Sequence, residues 1–229
     1  MENSKIVFNH SDDRYQGELG SNYQKSKHEI SQKAFRYVAE MRAKKLEKWI
    51  DRCDSVLEFG VGNGWNLECL KCREKSGYDV YPKPERFNSS INFYNQISRL
   101  HHNYDKIICH HVLEHTENPA NMLNDIKNRV NESGKIIIFV PFEENRKYKK
   151  FITSDNDHHL FSWNVQTLGN LLCSQNLNIL EYGIKYTGFD RFAAKAAIKL
   201  GLNFSSYILF LKAIRFIYQK KEIYFIVKK

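Results

Sequence analysis

The sequence lacks the features of membrane-spanning and secreted chains. No apolar run approaches the roughly 18 residues that a membrane span needs. The first residues, Met1 to Asp13, are polar and contain no apolar segment like that of a secretion signal. Five cysteines are an odd number without dense spacing, which is typical of a reducing compartment. These absences predict a cytoplasmic protein.

An excess of basic charge is also absent from most of the chain. The net charge of the 229 residues is +9, but residues 185–229 alone hold ten Lys/Arg against two Asp/Glu. The preceding residues are therefore close to neutral, which argues against a nucleic-acid partner. With 42% apolar and 14% aromatic residues, the chain can bury one substantial core, so we expect one decorated domain.

A glycine-rich segment follows the first apolar run. Val56 and Leu57 predict a buried strand, and Glu58 and Phe59 lead from it into glycines at positions 60, 62 and 64. Glycines at a strand end let the backbone turn sharply and let a ligand lie against main-chain N–H groups. The spacing differs from the dinucleotide fingerprint Gly-x-Gly-x-x-Gly. Taken alone, the segment is either a ligand-binding turn or a plain tight loop.

Apolar periodicity predicts strands that alternate with helices, which implies a mostly parallel sheet. A polar segment at Glu143–Asp157 has the length of a loop that covers an active site. The predicted helices are Ser26–Ile50, Trp65–Arg73, a segment from Pro119, a segment after Asn164, and most of Phe192–Tyr218 with a break at Gly201. The later predicted strands are Tyr78–Tyr81, Ile91–Tyr94, Lys106–His110, Lys135–Pro141, Asn178–Tyr182 and Glu222–Val227.

Four segments between Ser55 and Tyr182 resemble class I S-adenosylmethionine-dependent methyltransferases, in the family's order. The glycine segment resembles the family's first motif. The sequence HVLEH at 111–115 is similar to the "vLEH" segment of small bacterial methyltransferases. Ser133-Gly134-Lys135 resembles the Pro-Gly-Gly before the fifth strand, and the segment from His159 is similar to "HLxxF-TPETL".

The resemblance implies a Rossmann-like α/β fold. Its seven-stranded sheet is mostly parallel, carries helices on both faces and has an antiparallel last strand. Residues 1–54 are predicted as an N-terminal helical extension and residues 55–229 as the methyltransferase domain. Residues 193–218 form an inserted, basic, amphipathic helical segment before the last strand.

The same resemblance implies a set of cofactor-binding residues. The turn from Gly60 through Gly62 and Asn63 to Gly64 lies against the methionine part of S-adenosylmethionine. Glu58 helps to orient the cofactor. His110 and His111 border its sulfonium.

The chain departs from the family at the second strand, where an acidic residue holds the ribose hydroxyls. Asp79 precedes the predicted strand end, and Glu85 follows two prolines. We expect Glu85 or Tyr81 at the ribose. The departure also leaves open an alternative, a non-catalytic scaffold or partner protein with a degenerate methyltransferase fold.

The implied reaction is methyl transfer to a small-molecule or glycan-like acceptor by in-line displacement. Such a reaction gains most from holding the acceptor atom at near-attack distance. A hydroxyl acceptor also needs a base, and His159 or His111 fits because ordinary imidazole titrates near ~6.5. These two histidines are the predicted catalytic residues.

Two short patterns suggest metal chemistry. His111-x-x-Glu114-His115 matches the inverted zinc-protease pattern, but Asn118-Pro119 cuts short the helix that the pattern requires. The pair Cys69-x-x-Cys72 lacks a second such pair, so ordinary packing is the favoured interpretation. We therefore predict no metal, and a zinc hydrolase is the third functional hypothesis.

The basic C-terminal segment has two interpretations. Its helices either pack on the sheet or on a second subunit in a homodimer, or they rest on anionic lipid, where apolar burial and basic residues act together.

Overall fold

Seven strands form one sheet in the computed structural model, which describes residues 30–100, 103–143 and 158–229. The strand order is β3-β2-β1-β4-β5-β7-β6. β7 runs antiparallel to both of its neighbours, and the remaining neighbours are parallel. The strands are β1 (Ser55–Phe59), β2 (Glu74–Tyr78), β3 (Asn92–Tyr94), β4 (Tyr104–His110), β5 (Val130–Pro141), β6 (Asn178–Tyr186) and β7 (Lys221–Lys228).

Helices cover both faces of this sheet, which confirms the predicted Rossmann-like α/β class. Within the described residues there are five α-helices. They are α1 (Gln32–Leu46), α2 (Pro119–Lys127), α3 (Val165–Ser174), α4 (Asp190–Lys199) and α5 (Phe204–Tyr218). None of these helices is long and apolar enough to cross a membrane.

The central strands are buried because parallel strands lie between two helical layers. Every residue of β1 is buried, and so is the run Ile136–Val140 of β5. Two clusters of apolar side chains fill the two faces. A third cluster joins α1 to α4 and α5, so the predicted inserted helices pack against the N-terminal helix and each other. Gly201, with φ +66°, separates them as expected.

Two predictions near the glycine turn are wrong. No helix forms at Trp65–Arg73, where the chain makes successive turns, and the second strand is Glu74–Tyr78 instead of Tyr78–Tyr81. Residues 60–73 join β1 to β2 through single turns, with hydrogen bonds such as Leu67 N–H to Gly64 O at 3.1 Å and Leu70 N–H to Leu67 O at 3.2 Å. These bonds span three residues, whereas those of an α-helix span four.

One predicted segment cannot be compared with the structure. The polar loop predicted at Glu143–Asp157 lies, except for its first residue, outside the described residues. The division into an extension and a domain at residue 55 stays a prediction.

Candidate active site

A cavity of about 900 Å³ opens at the carboxyl ends of the parallel strands. This edge of an open α/β sheet is where ligands bind. The cavity wall includes the glycine turn after β1, the segment after β2, the histidines after β4, and the residues between β6 and α4. The end of α5 and the first residue of β7 complete it.

The glycine turn leaves open space at Gly62. Gly60 and Gly62 have φ values of +70° and +49°, a region that residues with side chains rarely adopt. A Cβ on Gly60 would lie 2.3 Å from Val112 Cγ2, whereas a Cβ on Gly62 would meet no atom within 4 Å. Gly62 also lines the cavity. The turn therefore offers bare backbone to a ligand at Gly62.

The turn is held in place by Asp79. Because β2 ends at Tyr78, Asp79 is the first residue after the strand, and its backbone N–H donates to Tyr94 O at 3.1 Å. Asp79 Oδ2 accepts from the Gly62 N–H at 2.7 Å, and Oδ1 accepts from the Tyr81 N–H at 2.9 Å. The carboxylate therefore lies on the cavity wall beside the turn.

This position corrects the expectation about the second strand. Asp79 does not precede the strand end, as the sequence predicted, but follows it directly. Tyr81 lines the cavity, whereas Glu85 is exposed and lies outside the cavity wall. The error arose because the strand was placed four residues too late, which made the carboxylate six residues further on appear better situated.

Glu58 and Asn66 place buried oxygen atoms on the same wall. Glu58 is 2% exposed, and its Oε1 accepts from Asn66 Nδ2 at 2.5 Å. Glu58 Oε2 and Asn66 Oδ1 have no hydrogen-bond partner within the described part of the chain. Burial raises the pKa of Glu58 to about 8, although the Asn66 hydrogen bond opposes this. Unsatisfied buried acceptors of this kind suit a ligand that brings N–H donors or positive charge.

His110, the last residue of β4, and His111, which follows it, form a stacked pair with ring centres 4.5 Å apart. Behind them lies Glu222, the buried second residue of β7. Its Oε2 is 3.4 Å from His111 Nε2, and its Oε1 accepts from Lys45 Nζ at 2.9 Å. Lys45 Nζ is also 3.0 Å from His110 Nε2 and 3.9 Å from the centre of the Phe139 ring.

Burial and charge fix the protonation of this group. Burial and the nearby Lys45 charge hold the pKa of His110 well below its usual value, so His110 is neutral. Burial alone would raise the pKa of Glu222, but the Lys45 charge and the contact with His111 hold it well below its usual range. Burial lowers the pKa of Lys45, and Glu222 opposes that change. The result is a neutral imidazole and a buried carboxylate beside His111.

A second histidine–carboxylate pair lies on the same cavity wall. His159 Nδ1 is 2.6 Å from Oε1 of Glu143, which lies two residues after the end of β5 at Pro141. Glu143 Oε2 accepts from Ser162 Oγ at 3.1 Å. The ring of His159 meets that of His115 edge to face, with centres 4.9 Å apart. Both predicted catalytic histidines thus have a carboxylate partner in the cavity region.

The pattern His111-x-x-Glu114-His115 does not form a zinc-protease helix. Leu113–His115 is a single 3-10 turn, and the three residues of the pattern separate. His111 groups with His110 and Glu222, whereas Glu114 and His115 group with His159. These are the two groups of metal-ligand side chains among the described residues, and the first already contains Lys45. Cys69 and Cys72 belong to neither and pack against the core.

The structure brings together most of the predicted site residues. Gly64 and Glu85 are not on the cavity wall, and Gly64 instead packs near Phe87. Sequence reasoning missed Asp79, Glu143 and Glu222. The predicted site residues that line the cavity are Glu58, Gly60, Gly62, Asn63, Tyr81, His110, His111 and His159.

Comparison with protein families decides the class of the molecule. Residues 27–182, more than half of the chain, match a family described as a methyltransferase domain. The chain belongs to this methyltransferase family. The predicted family and enzyme class are thereby confirmed. No curated protein matches the chain in sequence.

Solved structures share the fold of this methyltransferase at low sequence identity. Magnesium protoporphyrin IX methyltransferase from Synechocystis, solved with bound SAM, is 14% identical with a TM-score of 0.58 and covers 99% of this chain and 100% of its own. The 1,6-didemethyltoxoflavin-N1-methyltransferase of Burkholderia thailandensis, solved with S-adenosylhomocysteine, is 15% identical (TM-score 0.55; 92% and 85% covered). The [4+2]-cyclase SpnF is 12% identical (TM-score 0.58; 88% and 84% covered).

Proposed function

We propose that this methyltransferase transfers a methyl group from S-adenosylmethionine to an oxygen or nitrogen atom of a small-molecule or glycan-like acceptor. One observation carries the proposal. A single cavity combines an open glycine turn and buried carboxyl groups at one part of its wall with two histidine–carboxylate pairs at another.

The first part of the wall fits the cofactor. Glu58 Oε2 and Asn66 Oδ1 are buried acceptors that match the donors of an ammonium group. Asp79 supplies a carboxylate at the end of β2, where ribose hydroxyls need an acceptor. Gly62 leaves room for the ligand to approach the backbone. We therefore assign the ribose to Asp79, with Tyr81 beside it, in place of Glu85.

The second part of the wall fits proton transfer. When bound, the cofactor would supply an electrophilic methyl carbon: the acceptor atom would bond to this carbon in line as the carbon–sulfur bond breaks and S-adenosylhomocysteine leaves. His159 takes the proton from an acceptor hydroxyl, and Glu143 at 2.6 Å fixes the orientation of its ring and stabilises the charge that forms. Glu222 Oε2 lies 3.4 Å from His111 Nε2 without forming a hydrogen bond, so Glu222 supplies negative charge beside that ring. His110, neutral and buried, contributes shape and polarity beside them without adding charge.

Transfer of labelled methyl from S-adenosylmethionine into cell-extract fractions tests the reaction and identifies the acceptor. Incorporation that requires the protein supports the proposal, and mass spectrometry of the labelled compound gives its class. Absence of incorporation, together with absence of S-adenosylhomocysteine binding, would favour the non-catalytic scaffold. The position of Asp79 weakens that alternative, because the scaffold was suggested by a missing ribose carboxylate.

The α4–α5 surface supports a contact with anionic membrane. Residues 190–220 contain one acidic residue, Asp190, and it is ion-paired with Arg215 at 2.6 Å. Large apolar side chains on this surface are between 62% and 75% exposed. Apolar area surrounded by basic residues is the composition that binds anionic lipid headgroups. The surface consists of Phe192, Leu200, Leu209, Phe216, Ile217 and Tyr218 with Lys195, Lys199, Lys212 and Lys220.

A further inference from the structure

The edge strand β6 presents a row of apolar side chains that are about half exposed. β6 is nine residues long and ends the sheet, and in the described part of the chain no strand lies beyond it. A bulge at Ile179–Glu181 interrupts its pairing with β7, and after the bulge Tyr182, Ile184 and Tyr186 project from one face and are between 47% and 59% exposed. The alternate residues are less exposed, and Glu181 accepts hydrogen bonds from other parts of the chain.

Such an edge is unusual for an isolated chain. Edge strands offer backbone N–H and C=O groups to another strand, and most proteins protect them with charge, proline or short length. The opposite edge, β3, follows that rule with three residues. β6 is long, contains no proline, has no charged residue on its exposed face, and is bulged only near its start, at Ile179–Glu181, so residues 181–186 form a regular edge. These features favour pairing with another strand.

The sequence of β6 is complementary to itself in one antiparallel register. When two copies meet about a two-fold axis at Gly183, Tyr182 faces Ile184 of the partner subunit. On the other face, Glu181 lies opposite Lys185 of the partner subunit. Aromatic–aliphatic and opposite-charge pairs are the favourable cross-strand combinations.

Neighbouring registers lose this complementarity. Moving the axis to Tyr182 places Glu181 opposite glycine, and moving it to Ile184 places Lys185 opposite glycine. Moving it between two residues places side chains from opposite faces against each other, because the strand alternates with a period of two. One register therefore satisfies both faces of the strand.

We propose that two copies of this chain form a two-fold symmetric dimer through antiparallel β6–β6 pairing centred on Gly183. The pairing joins the two seven-stranded sheets into one continuous sheet. It uses the same patch on both subunits, as two-fold interfaces do. The exposed β6 face lacks basic residues, so anionic lipid, which suits the α4–α5 surface, does not suit this one.

Analytical ultracentrifugation over a wide range of protein concentrations tests the proposal, independently of activity. The wild-type protein is expected to reach twice the 27.1 kDa chain mass. Two matched double variants test the register. Tyr182→Lys with Ile184→Lys places like charges opposite each other and is expected to be a monomer. Tyr182→Lys with Ile184→Glu places opposite charges together and is expected to dimerise, more weakly at high salt.

Leu209→Lys, at an exposed apolar residue of α5, is the control and should leave the dimer unchanged. A wild-type protein that stays monomeric at every concentration would overturn the proposal. A monomer whose β6 amides are protected from hydrogen exchange would overturn it too, since another segment of the same chain would then cover the edge. So would a dimer that survives the double lysine variant.

Discussion

Asp79 connects the glycine turn to the end of β2 through its two carboxylate oxygens. Hydrogen bonds to a charged group contribute roughly 1.5–3 kcal/mol. Asp79→Asn is therefore expected to weaken S-adenosylhomocysteine binding by about 10-fold or more, as measured by calorimetry. Glu85→Gln, at the exposed carboxylate outside the cavity, is the matched control and should bind as the wild type does. Equal losses in both variants would contradict the assignment of Asp79.

A larger side chain at Gly62 tests by steric hindrance whether the cofactor binds against this part of the cavity wall. Gly62→Val should abolish cofactor binding, because the new side chain extends into space that no protein atom occupies within 4 Å of Cβ. The positive φ of +49° adds a conformational cost of roughly 1–2 kcal/mol, so the melting temperature should fall modestly. Calorimetry and thermal unfolding separate the two effects. Unchanged affinity would mean that the turn is only structural.

His159 is expected to affect turnover and not cofactor binding. His159→Ala should lower the methyl-transfer rate by about 10²–10⁴-fold, the usual contribution of a positioned base. Glu143→Gln keeps the imidazole but removes the carboxylate that orients it, so its rate should lie between those of the wild type and of His159→Ala. Initial rates and S-adenosylhomocysteine affinity are measured for each protein. Parallel losses in rate and affinity would place His159 at the cofactor instead.

Glu58 gives the protein a pH dependence of stability. Its ordinary pKa is 4.5, and burial raises the pKa to about 8 in the folded protein. Between these values the folded protein holds a proton that the unfolded chain has lost, so stability falls as pH rises. At about 1.4 kcal/mol per pKa unit, the loss from Glu58 is on the order of 5 kcal/mol.

Glu58→Gln removes this loss. The difference in free energy of unfolding between the variant and the wild type should increase in favour of the variant from pH 4.5 to about 8. Urea denaturation at several pH values measures it. Curves that run parallel over this range would show that Glu58 is already ionised in the folded protein.

The elements differ in how well the sequence predicts them. The long apolar runs of β4 and β5 predict buried central strands directly. β2 is polar in sequence, and its buried positions are Ser76 and Gly77. Gly77 cannot carry a larger side chain, because a Cβ there would lie 2.7 Å from Val61 Cγ1. Hydrophobic pattern therefore cannot detect this strand. The helix expected after the glycine turn does not form, because that stretch closes single turns such as the one from Gly64 O to Leu67 N–H.

Element order also explains which site residues were missed. Since β7 is antiparallel, its first residues lie at the carboxyl edge of the other strands, so Glu222 could have been predicted from the expected topology. Glu143 follows β5 at the same edge of the sheet, so it could have been predicted in the same way. The contact of Lys45 with Glu222 spans 177 residues and depends on how α1 packs, which no local pattern reveals.

The α4–α5 surface leads to a prediction about membranes. The protein should sediment with vesicles of anionic lipid at low salt and bind less at high salt, because each basic residue near the surface contributes roughly 1 kcal/mol. Lys212→Glu, on the exposed side of α5, should weaken binding without changing cofactor affinity. Neutral vesicles are the control. A protein that stays in the supernatant under both salt conditions would exclude this contact.

At the scale of the whole molecule, distant segments meet at one edge of the sheet. The glycine turn, the strand ends and the first residues of β7 share a cavity, because six strands run in one direction and their carboxyl ends lie there. The uneven charge of the chain has a structural counterpart, since the basic C-terminal helices lie together on α1 and border that cavity. The cavity and the basic surface of α4 and α5 are thus separate parts of the molecule that lie next to each other.

Calorimetric titration of the wild-type protein with S-adenosylhomocysteine tests the central claim most directly. The structure predicts binding at one site per chain with submillimolar affinity. It also predicts that a subsequent crystal structure places the ligand in the cavity, against the wall that Gly62 and Asp79 form together. No heat of binding at high ligand concentration, from a protein shown to be folded by circular dichroism, would contradict the claim that this cavity holds the cofactor.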